Sequence, residues 1–250
     1  MRIISFVNQK GGVAKTTTCV NVGAGLSFCG FKCLLVDLDP QGNLSTSLGI
    51  APGDDDITIY EVLKGADVNH AIRTEPNGRY DILPADIRLS GAELELAGVA
   101  GRDFLLKEAL ESLKKKYDYI LIDCAPSLNI LTLMALTACN NLYVPVKADY
   151  LALNGMAQLL DTIEQVRKRL NHDLDVSGVI LTFFDGRRGL DKEVEQSIRA
   201  KFGKSVFNTT IGNNVALAEA PSHHQDIFTY APNSKGAQQY KELVTEITKT

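Results

Sequence analysis

The chain has 250 residues, of which 45% are hydrophobic and 22% are charged, and its formal net charge is −4. This composition is typical of a globular protein with one large core, so it excludes disordered and collagen-like classes. A mildly acidic chain does not coat nucleic acid with its whole surface, so any DNA binding has to come from a local basic patch.

The cysteines and the apolar segments indicate the compartment. The five cysteines form no CxxC pair and no Cys/His zinc spacing, so we expect reduced, mostly buried thiols. They are Cys19, Cys29, Cys33, Cys124 and Cys139. The N-terminus leads directly into a predicted strand without a signal peptide, and no apolar run approaches the roughly 20 residues that cross a bilayer. We therefore predict a cytoplasmic protein without a membrane partner.

Strand-like and helix-like segments alternate along the chain. Strands are predicted at 3–7, 33–36, 80–83, 119–122, 142–146 and 176–182, and helices at 19–29, 102–116, 127–138, 156–170, 190–202 and 237–247. This order predicts an α/β fold with a mostly parallel, twisted sheet and helices on both faces. Ligands of such sheets bind beyond the carboxyl ends of the strands. We see no repeat or linker, so we predict one domain over residues 1–250.

Residues 8–17, with the sequence NQKGGVAKTT, follow the first strand and open the first helix. This is the context that a phosphate-binding P-loop requires. The glycines let backbone N–H groups turn toward an anion, and the helix start adds its positive dipole end. Lys15 is predicted to reach the β- and γ-phosphates, and the Thr16 hydroxyl to hold Mg²⁺. The predicted ATP-binding residues of the loop are Gly11, Gly12, Val13, Ala14, Lys15, Thr16 and Thr17.

The loop departs from the usual pattern GxxxxGK(S/T), because Gln9 and Ala14 occupy the two glycine positions. A glycine-rich turn with a chance Lys–Thr pair is the alternative. An additional lysine, Lys10, precedes the glycine pair, and the segment resembles the deviant Walker A motif KGGxxKT(S/T) of the family of ParA, Soj, MinD and nitrogenase iron protein. This resemblance implies a P-loop NTPase domain whose Lys10 crosses a dimer interface to the partner's nucleotide. The homodimer would then depend on ATP.

Two apolar segments end in aspartates. In the first, residues 34–43, Asp37 and Asp39 share one face of a strand. The segment resembles the DxDPQGN switch I stretch of the ParA family, which implies that Asp39 positions the attacking water and that Asp37 supports the metal. A capping role is the alternative for each. The second segment, residues 119–126, resembles Walker B and switch II, in which Asp123 holds Mg²⁺. The predicted metal-site residues are Thr16, Asp39 and Asp123, and the predicted catalytic residues are Lys10, Lys15 and Asp39.

Five further segments resemble chromosomal Soj-like members of the family. They lie at 83–85, 89–96, 144–146, 217–222 and 234–237. The resemblance implies a slow ATPase whose ATP-bound homodimer binds DNA without sequence preference. A ParB-like activator would stimulate hydrolysis and release it, in chromosome or plasmid segregation. Residues 242–250 carry both charge signs and few large apolar side chains, which favours a packed terminal helix over the membrane helix of MinD-like proteins.

The DNA contacts are predicted from residues 184–187, which resemble the family's D-(G/A)-R segment, in which the arginine serves DNA binding. The predicted DNA-binding residues are Arg187, Arg188 and Arg199, to which Lys192, Lys201 and Lys204 could be added. A solvated helix face is the alternative for each. Two family arginines are replaced by Asn213 and Ala216, whereas Asn214 remains and is predicted to contact adenine.

These departures leave other functions open. One is an orphan ParA-like ATPase that positions a protein cargo or compartment, with weak or altered DNA binding. A MinD-like membrane regulator and a metabolic kinase are the remaining alternatives, although no motif for a kinase acceptor pocket is present. A nitrogenase-like cluster is disfavoured, because Cys124 lacks a suitable partner motif.

Overall fold

The computed structural model describes residues 1–149 and 152–249, without the side chains of residues 93 and 152–155. Within these ranges the chain forms seven strands and twelve α-helices. The strands are β1 (Arg2–Phe6), β2 (Cys33–Leu38), β3 (Arg73–Thr74), β4 (Asp81–Leu83), β5 (Tyr119–Cys124), β6 (Asn141–Lys147) and β7 (Val176–Thr182). The helices are α1 (Lys15–Phe28), α2 (Asn43–Ser47), α3 (Ile59–Leu63), α4 (Val68–Ala71), α5 (Ala92–Glu95), α6 (Leu105–Glu111), α7 (Ile130–Ala138), α8 (Ala152–Arg169), α9 (Gly189–Phe202), α10 (Val215–Glu219), α11 (Ile227–Tyr230) and α12 (Lys235–Lys249).

The strands form one sheet in the order β3-β4-β2-β5-β1-β6-β7. All neighbours are parallel except β3, which pairs antiparallel with β4. Helices α1 and α12 cover one face of the sheet, and α6, α7, α8 and α9 cover the other. The predicted α/β fold with helices on both faces is therefore confirmed.

The middle of the sheet is apolar on both sides, as parallel strands between two helix layers have to be. Strands β2 and β5 are buried along their whole length. Because β1, β5 and β2 are neighbours in parallel, their carboxyl ends lie side by side at one edge. This order brings the loop after β1 next to Asp37 and Asp123, the penultimate residues of β2 and β5.

Some predicted boundaries were wrong. The helix predicted at 102–116 begins as a 3₁₀ turn at Arg102–Phe104, and its α-helical part ends at Glu111. The helix predicted from residue 127 begins at Ile130, because the Asn129 side chain caps it by accepting a hydrogen bond from the Thr132 N–H at 3.2 Å. None of the described helices is long and apolar enough to span a membrane.

Candidate nucleotide site and basic cleft

The loop between β1 and α1 has the backbone geometry of an anion-binding turn. Gly12 and Ala14 both adopt left-handed conformations, with φ of 68° and 63°. Left-handed residues in such turns produce concavities lined by N–H groups. A side chain at Gly11 or Gly12 would meet no atom within 4 Å, so this side of the loop is open to a ligand. Ala14 occupies a conformation that costs a residue other than glycine about 1–2 kcal/mol, and glycine would hold it without strain.

Buried hydrogen bonds fix the loop to the neighbouring strands. The Asn8 side-chain amide donates to the Pro145 carbonyl on β6 at 2.8 Å, and its oxygen accepts from the Lys10 N–H at 3.0 Å. The Thr182 hydroxyl at the end of β7 donates to the Val13 carbonyl at 3.1 Å. The loop is therefore held in shape before any ligand binds.

Lys15 is the first residue of α1 and is only 7% exposed. Its ammonium donates to the Lys10 carbonyl at 3.1 Å. Burial lowers the pKa of Lys15, and the nearby Asp123, Cys124 and Asp39 oppose this effect. The folded chain thus holds a cation at the start of a helix, where an anion is favoured.

Asp123 is the penultimate residue of β5 and lies next to Asp37 on β2 and Phe6 on β1. It is fully buried, and neither of its oxygens has a hydrogen-bond partner in the described part of the chain. Burial, and then the charge of Asp37, raise the pKa of Asp123, while the Thr16 hydroxyl and Lys15 act in the opposite direction. The Thr16 side chain therefore lies near the Asp123 carboxylate.

A buried carboxylate without a partner is costly, and a cation removes that cost. Thr16 and Asp123 fit a Mg²⁺ ion, which takes oxygen ligands and usually binds one or two carboxylates together with phosphates. Among residues 1–149 and 152–249, no group of three His, Cys, Asp or Glu side chains could hold a metal alone. The donor set therefore fits a metal that arrives with a phosphate.

Asp37 and Asp39 have different surroundings, although they are two residues apart. One oxygen of Asp37 accepts from the Ser45 N–H at 2.9 Å and the Ser45 hydroxyl at 2.7 Å, and the other accepts from the Asp39 N–H at 3.2 Å. Burial raises the pKa of Asp37 to about 6 despite the bonds from Ser45. Asp39 accepts from the Gln41 N–H at 3.0 Å. Asp37 therefore holds α2 in place, and Asp39 lies in the loop that α2 supports.

Lys10 forms an ion pair within its own chain. Its ammonium lies 2.5 Å from a carboxylate oxygen of Asp149, and each side chain is about one-third exposed. The other Asp149 oxygen is buried and has no partner among the described residues. Asp149 was not predicted from the sequence, although it follows the carboxyl end of a buried strand, the same signal that identified Asp37 and Asp123.

Asn214 lies on a small pocket beside the loop. This pocket of about 170 Å³ is lined in part by Ala14, Thr17 and Asn214. The Asn214 side chain accepts from the Ala216 N–H at 2.9 Å and caps α10. The structure thus places Asn214 next to the P-loop, as a contact with the base of a bound nucleotide requires.

A larger cavity of about 850 Å³, the basic cleft, lies on the other side of the same wall. It is lined by Lys147, Ala148, Phe183, Phe184, Asp185, Gly186, Arg187, Arg188, Thr210, Gly212, Asn213, Lys235 and Gln239. Phe183, Gly212 and Asn213 line both this cleft and the small pocket. Phe183 has a φ of 54°, which is unusual for a bulky residue.

The three predicted DNA-binding arginines do not come together. Arg187 is 90% exposed and bonds Asp185 at 2.8 Å, and Arg188 lies 3.9 Å from the same carboxylate. Arg199 lies about 16 Å further along α9. Its guanidinium bonds Glu195 at 2.8 Å and donates to the carbonyls of Val206 at 3.5 Å and Phe207 at 3.2 Å. Arg187 and Arg188 thus line the basic cleft, whereas Arg199 joins α9 to the segment that follows it.

Comparisons with known proteins agree with this site. A family model described as an AAA domain matches residues 1–176. The chain is 47% identical to sporulation initiation inhibitor protein Soj of Bacillus subtilis, over 98% of each protein. It is 44% identical to chromosome partitioning protein ParA of Caulobacter vibrioides, over 99% of this chain and 94% of that protein. A solved structure named cobyrinic acid a,c-diamide synthase, from Mycobacterium smegmatis with bound ADP and magnesium, is 37% identical, with a TM-score of 0.88 over 100% of this chain and 94% of that chain.

Proposed function

Since the chain belongs to the Soj and ParA family of chromosome-partitioning ATPases, we propose that it hydrolyses ATP slowly to control its own association with DNA. The observation that carries this proposal is the buried, unpartnered carboxylate of Asp123 beside the P-loop. The fold keeps this charge uncompensated next to Lys15 and Thr16, which suits a Mg²⁺–triphosphate ligand.

We assign the roles of the residues from their positions together with the family resemblance. The N–H groups of residues 11–17 and the Lys15 ammonium hold the β- and γ-phosphates. Thr16 and Asp123 would hold Mg²⁺, which would neutralise charge on the phosphates when bound. Asp39 orients the attacking water, and Asp37 keeps the Asp39 loop in place through Ser45. Catalysis in this scheme rests on positioning and electrostatics, and the protein contributes little covalent chemistry.

The active species is a homodimer in which Lys10 contacts the partner's nucleotide. Within one chain this ammonium is bound to Asp149, so it has to exchange Asp149 for the phosphates of the other subunit. The pair is partly buried, so the exchange is feasible because the phosphates offer the ammonium charge-assisted contacts that replace the one with Asp149. The ammonium then stabilises charge that develops on the transferring phosphate.

The ATP-bound dimer binds DNA without sequence preference, and a ParB-like activator releases it by stimulating hydrolysis. The protein then works in the cytoplasm at the nucleoid, in chromosome or plasmid segregation. A second candidate, an ATPase that positions a protein cargo, is favoured by the loss of arginine at Asn213 and Ala216. A neighbouring gene for a ParB-like protein would favour the first function.

Calorimetry with Mg-ATP tests the proposal, followed by size-exclusion chromatography of the same samples. We expect Lys15→Ala to lower the affinity about 10-fold to 100-fold, because it removes a charge-assisted contact with phosphate. We expect Lys10→Ala to bind Mg-ATP and remain monomeric. Lys114→Ala, at the opposite edge of the sheet, is the matched control and should behave like the wild type. A folded wild-type protein that shows no Mg-ATP binding would overturn the proposal.

A further inference from the structure

We infer that Asp149 is a positioning residue for Lys10, and that it sets how readily the homodimer forms in Mg-ATP. In the single chain, the Asp149 carboxylate holds the ammonium that the partner's phosphates need, so two anions compete for one cation. This inference rests on the proposed dimerisation through Lys10 and adds a residue that opposes it.

The backbone is fixed on both sides of this ion pair. On one side, the Lys10 N–H donates to the Asn8 side-chain oxygen at 3.0 Å, and the Asn8 amide donates to the Pro145 carbonyl on β6 at 2.8 Å. On the other side, the Asp149 N–H donates to the Lys147 carbonyl at 2.8 Å, in the turn that leaves β6. The pair can therefore open by rotation of two side chains, and the loop does not have to unfold.

The Asp149 carboxylate depends on Lys10 for its compensation. Lys10 is its one salt-bridge partner within residues 1–149 and 152–249. Its second oxygen is buried and has no hydrogen-bond partner in the same ranges. A partly buried carboxylate that loses its counter-ion is costly. Dimerisation therefore has to outweigh the cost of leaving Asp149 unpaired, in addition to the loss of the ion pair.

The order of the strands explains what the ion pair keeps apart. Asp149 follows β6, which is the neighbour of β1 on one side, whereas Asp123 and Asp37 lie on β5 and β2, on the other side. The ion pair thus holds the Lys10 ammonium on the β6 side of the P-loop. The Lys15 ammonium lies near Asp123 and Asp39. The two lysines of one loop are therefore directed to different anions, and Lys10 is kept out of the nucleotide site of its own chain.

The size of the effect follows from the strength of the pair. An exposed ion pair is favoured over its open form by about twofold to fivefold, and here each side chain is only about one-third exposed. The apparent affinity of a protein falls in proportion to the fraction of molecules that are competent to bind. Because a symmetric dimer uses both lysines, this factor enters twice. Removal of the Asp149 charge should therefore raise the dimerisation constant about fourfold to 25-fold.

The first test measures the dimerisation constant of the full-length protein by analytical ultracentrifugation, in saturating Mg²⁺ and a non-hydrolysable ATP analogue. We expect Asp149→Asn, which keeps the shape of the side chain and removes its charge, to dimerise about fourfold to 25-fold more tightly than the wild type. Asp149→Ala is the second variant and should change the constant in the same direction. Asp173→Asn removes an exposed carboxylate at the opposite edge of the sheet and should keep the wild-type constant.

The second test measures the ion pair itself in the nucleotide-free monomer. An amine-reactive ester labels the lysines, and mass spectrometry gives the rate of labelling at Lys10 and Lys114. We expect Lys10 to react about twofold to fivefold faster in Asp149→Asn, because its amine is no longer held against the carboxylate. Lys114, which pairs with Glu111, should react at the same rate in both proteins. Equal affinities for Mg-ADP establish that the variants are folded.

The outcomes separate this inference from the proposed function. If the wild type dimerises and Asp149→Asn dimerises no more tightly, the inference is wrong and the proposed function stands. If Asp149→Asn dimerises more tightly while the labelling of Lys10 is unchanged, the carboxylate acts by repulsion between subunits and the inference is also wrong. If the folded wild type binds Mg-ATP and stays monomeric at every protein concentration, the dimerisation part of the proposed function is wrong, and this inference with it.

Discussion

The nucleotide site and the basic cleft lie at the same edge of the sheet and hold their charges in opposite ways. Lys15, Asp37 and Asp123 are buried, and the pKa of each is shifted by burial. Arg187 and Arg188 are exposed, and Asp185 is their partner. A buried charge is already held in position, so the site does not have to rearrange when the ligand binds. An exposed charge can exchange partners freely, which suits a polyanion that is bound at many places.

The largest effect that would sharpen this comparison is expected at Asp39. Asp39→Ala should bind Mg-ATP but lower the turnover about 100-fold or more, because a group that orients or activates the nucleophile contributes that much. Phosphate release measures the turnover, and size-exclusion chromatography should show dimers that accumulate in ATP. Asp55→Ala, an exposed acid in a loop, is the control. Turnover by Asp39→Ala at the wild-type rate would contradict the assigned role.

The next effect concerns the support beneath Asp39. Ser45→Ala should lower the free energy of unfolding by about 2 kcal/mol, because Asp37 loses a buried donor and the Ala85 N–H loses its acceptor. Ser47→Ala is a matched control in the same helix, since its hydroxyl donates to the Leu44 carbonyl within the same helix. Urea denaturation measures both variants. If the two variants have the same free energy of unfolding, the Ser45 hydroxyl does not stabilise the buried Asp37 carboxylate.

A third experiment distinguishes a structural role from a DNA-binding role for the predicted arginines. Arg199→Ala should lower the free energy of unfolding by about 1–2 kcal/mol and leave DNA affinity unchanged, because its guanidinium bonds groups of its own chain. Arg187→Ala should lower DNA affinity and leave the unfolding midpoint in urea unchanged, because its side chain is 90% exposed. A reversed pattern would place the DNA surface on α9 and away from the cleft.

The smallest effect is expected at Ala14, whose backbone in the P-loop has a strained, left-handed conformation. Ala14→Gly should raise the free energy of unfolding by about 0.5–1 kcal/mol, since glycine adopts a φ of 63° without strain. Ala200→Gly, in an exposed position of α9, should lower it by about 1 kcal/mol. Thermal unfolding distinguishes the two signs. A loss of stability in Ala14→Gly would mean that the alanine side chain makes a contact worth more than the strain.

The two regions were not equally predictable from the sequence. The P-loop is contiguous, and its neighbours Asp37 and Asp123 lie near the carboxyl ends of buried strands. The local sequence pattern and the strand order were therefore sufficient to predict the nucleotide site. The basic cleft is assembled from four separate segments around residues 147, 183–188, 210–213 and 235–239. Their proximity depends on how α12 packs on the sheet, and no local pattern encodes it. Arg187 was found through a motif, whereas Lys147 and Asp149 were missed.

The same reasoning explains the errors in the fold. The two residues of β3 and the four or five residues of α2, α10 and α11 are too short to show a periodicity. The helix predicted at 102–116 ends early at Glu111, and element boundaries are the least certain part of a sequence interpretation. Long segments with buried faces, such as β7 and α9, were predicted to within one residue.

The small pocket and the basic cleft have one wall in common, formed by Phe183, Gly212 and Asn213. Any ligand that displaces Phe183, Gly212 or Asn213 alters the shape of both spaces. Thermodynamic linkage then requires that the factor by which a nucleotide raises the affinity for DNA equals the factor by which DNA raises the affinity for that nucleotide. On the proposed function, DNA would be an effector of the P-loop, and a large excess of it would retain the bound nucleotide.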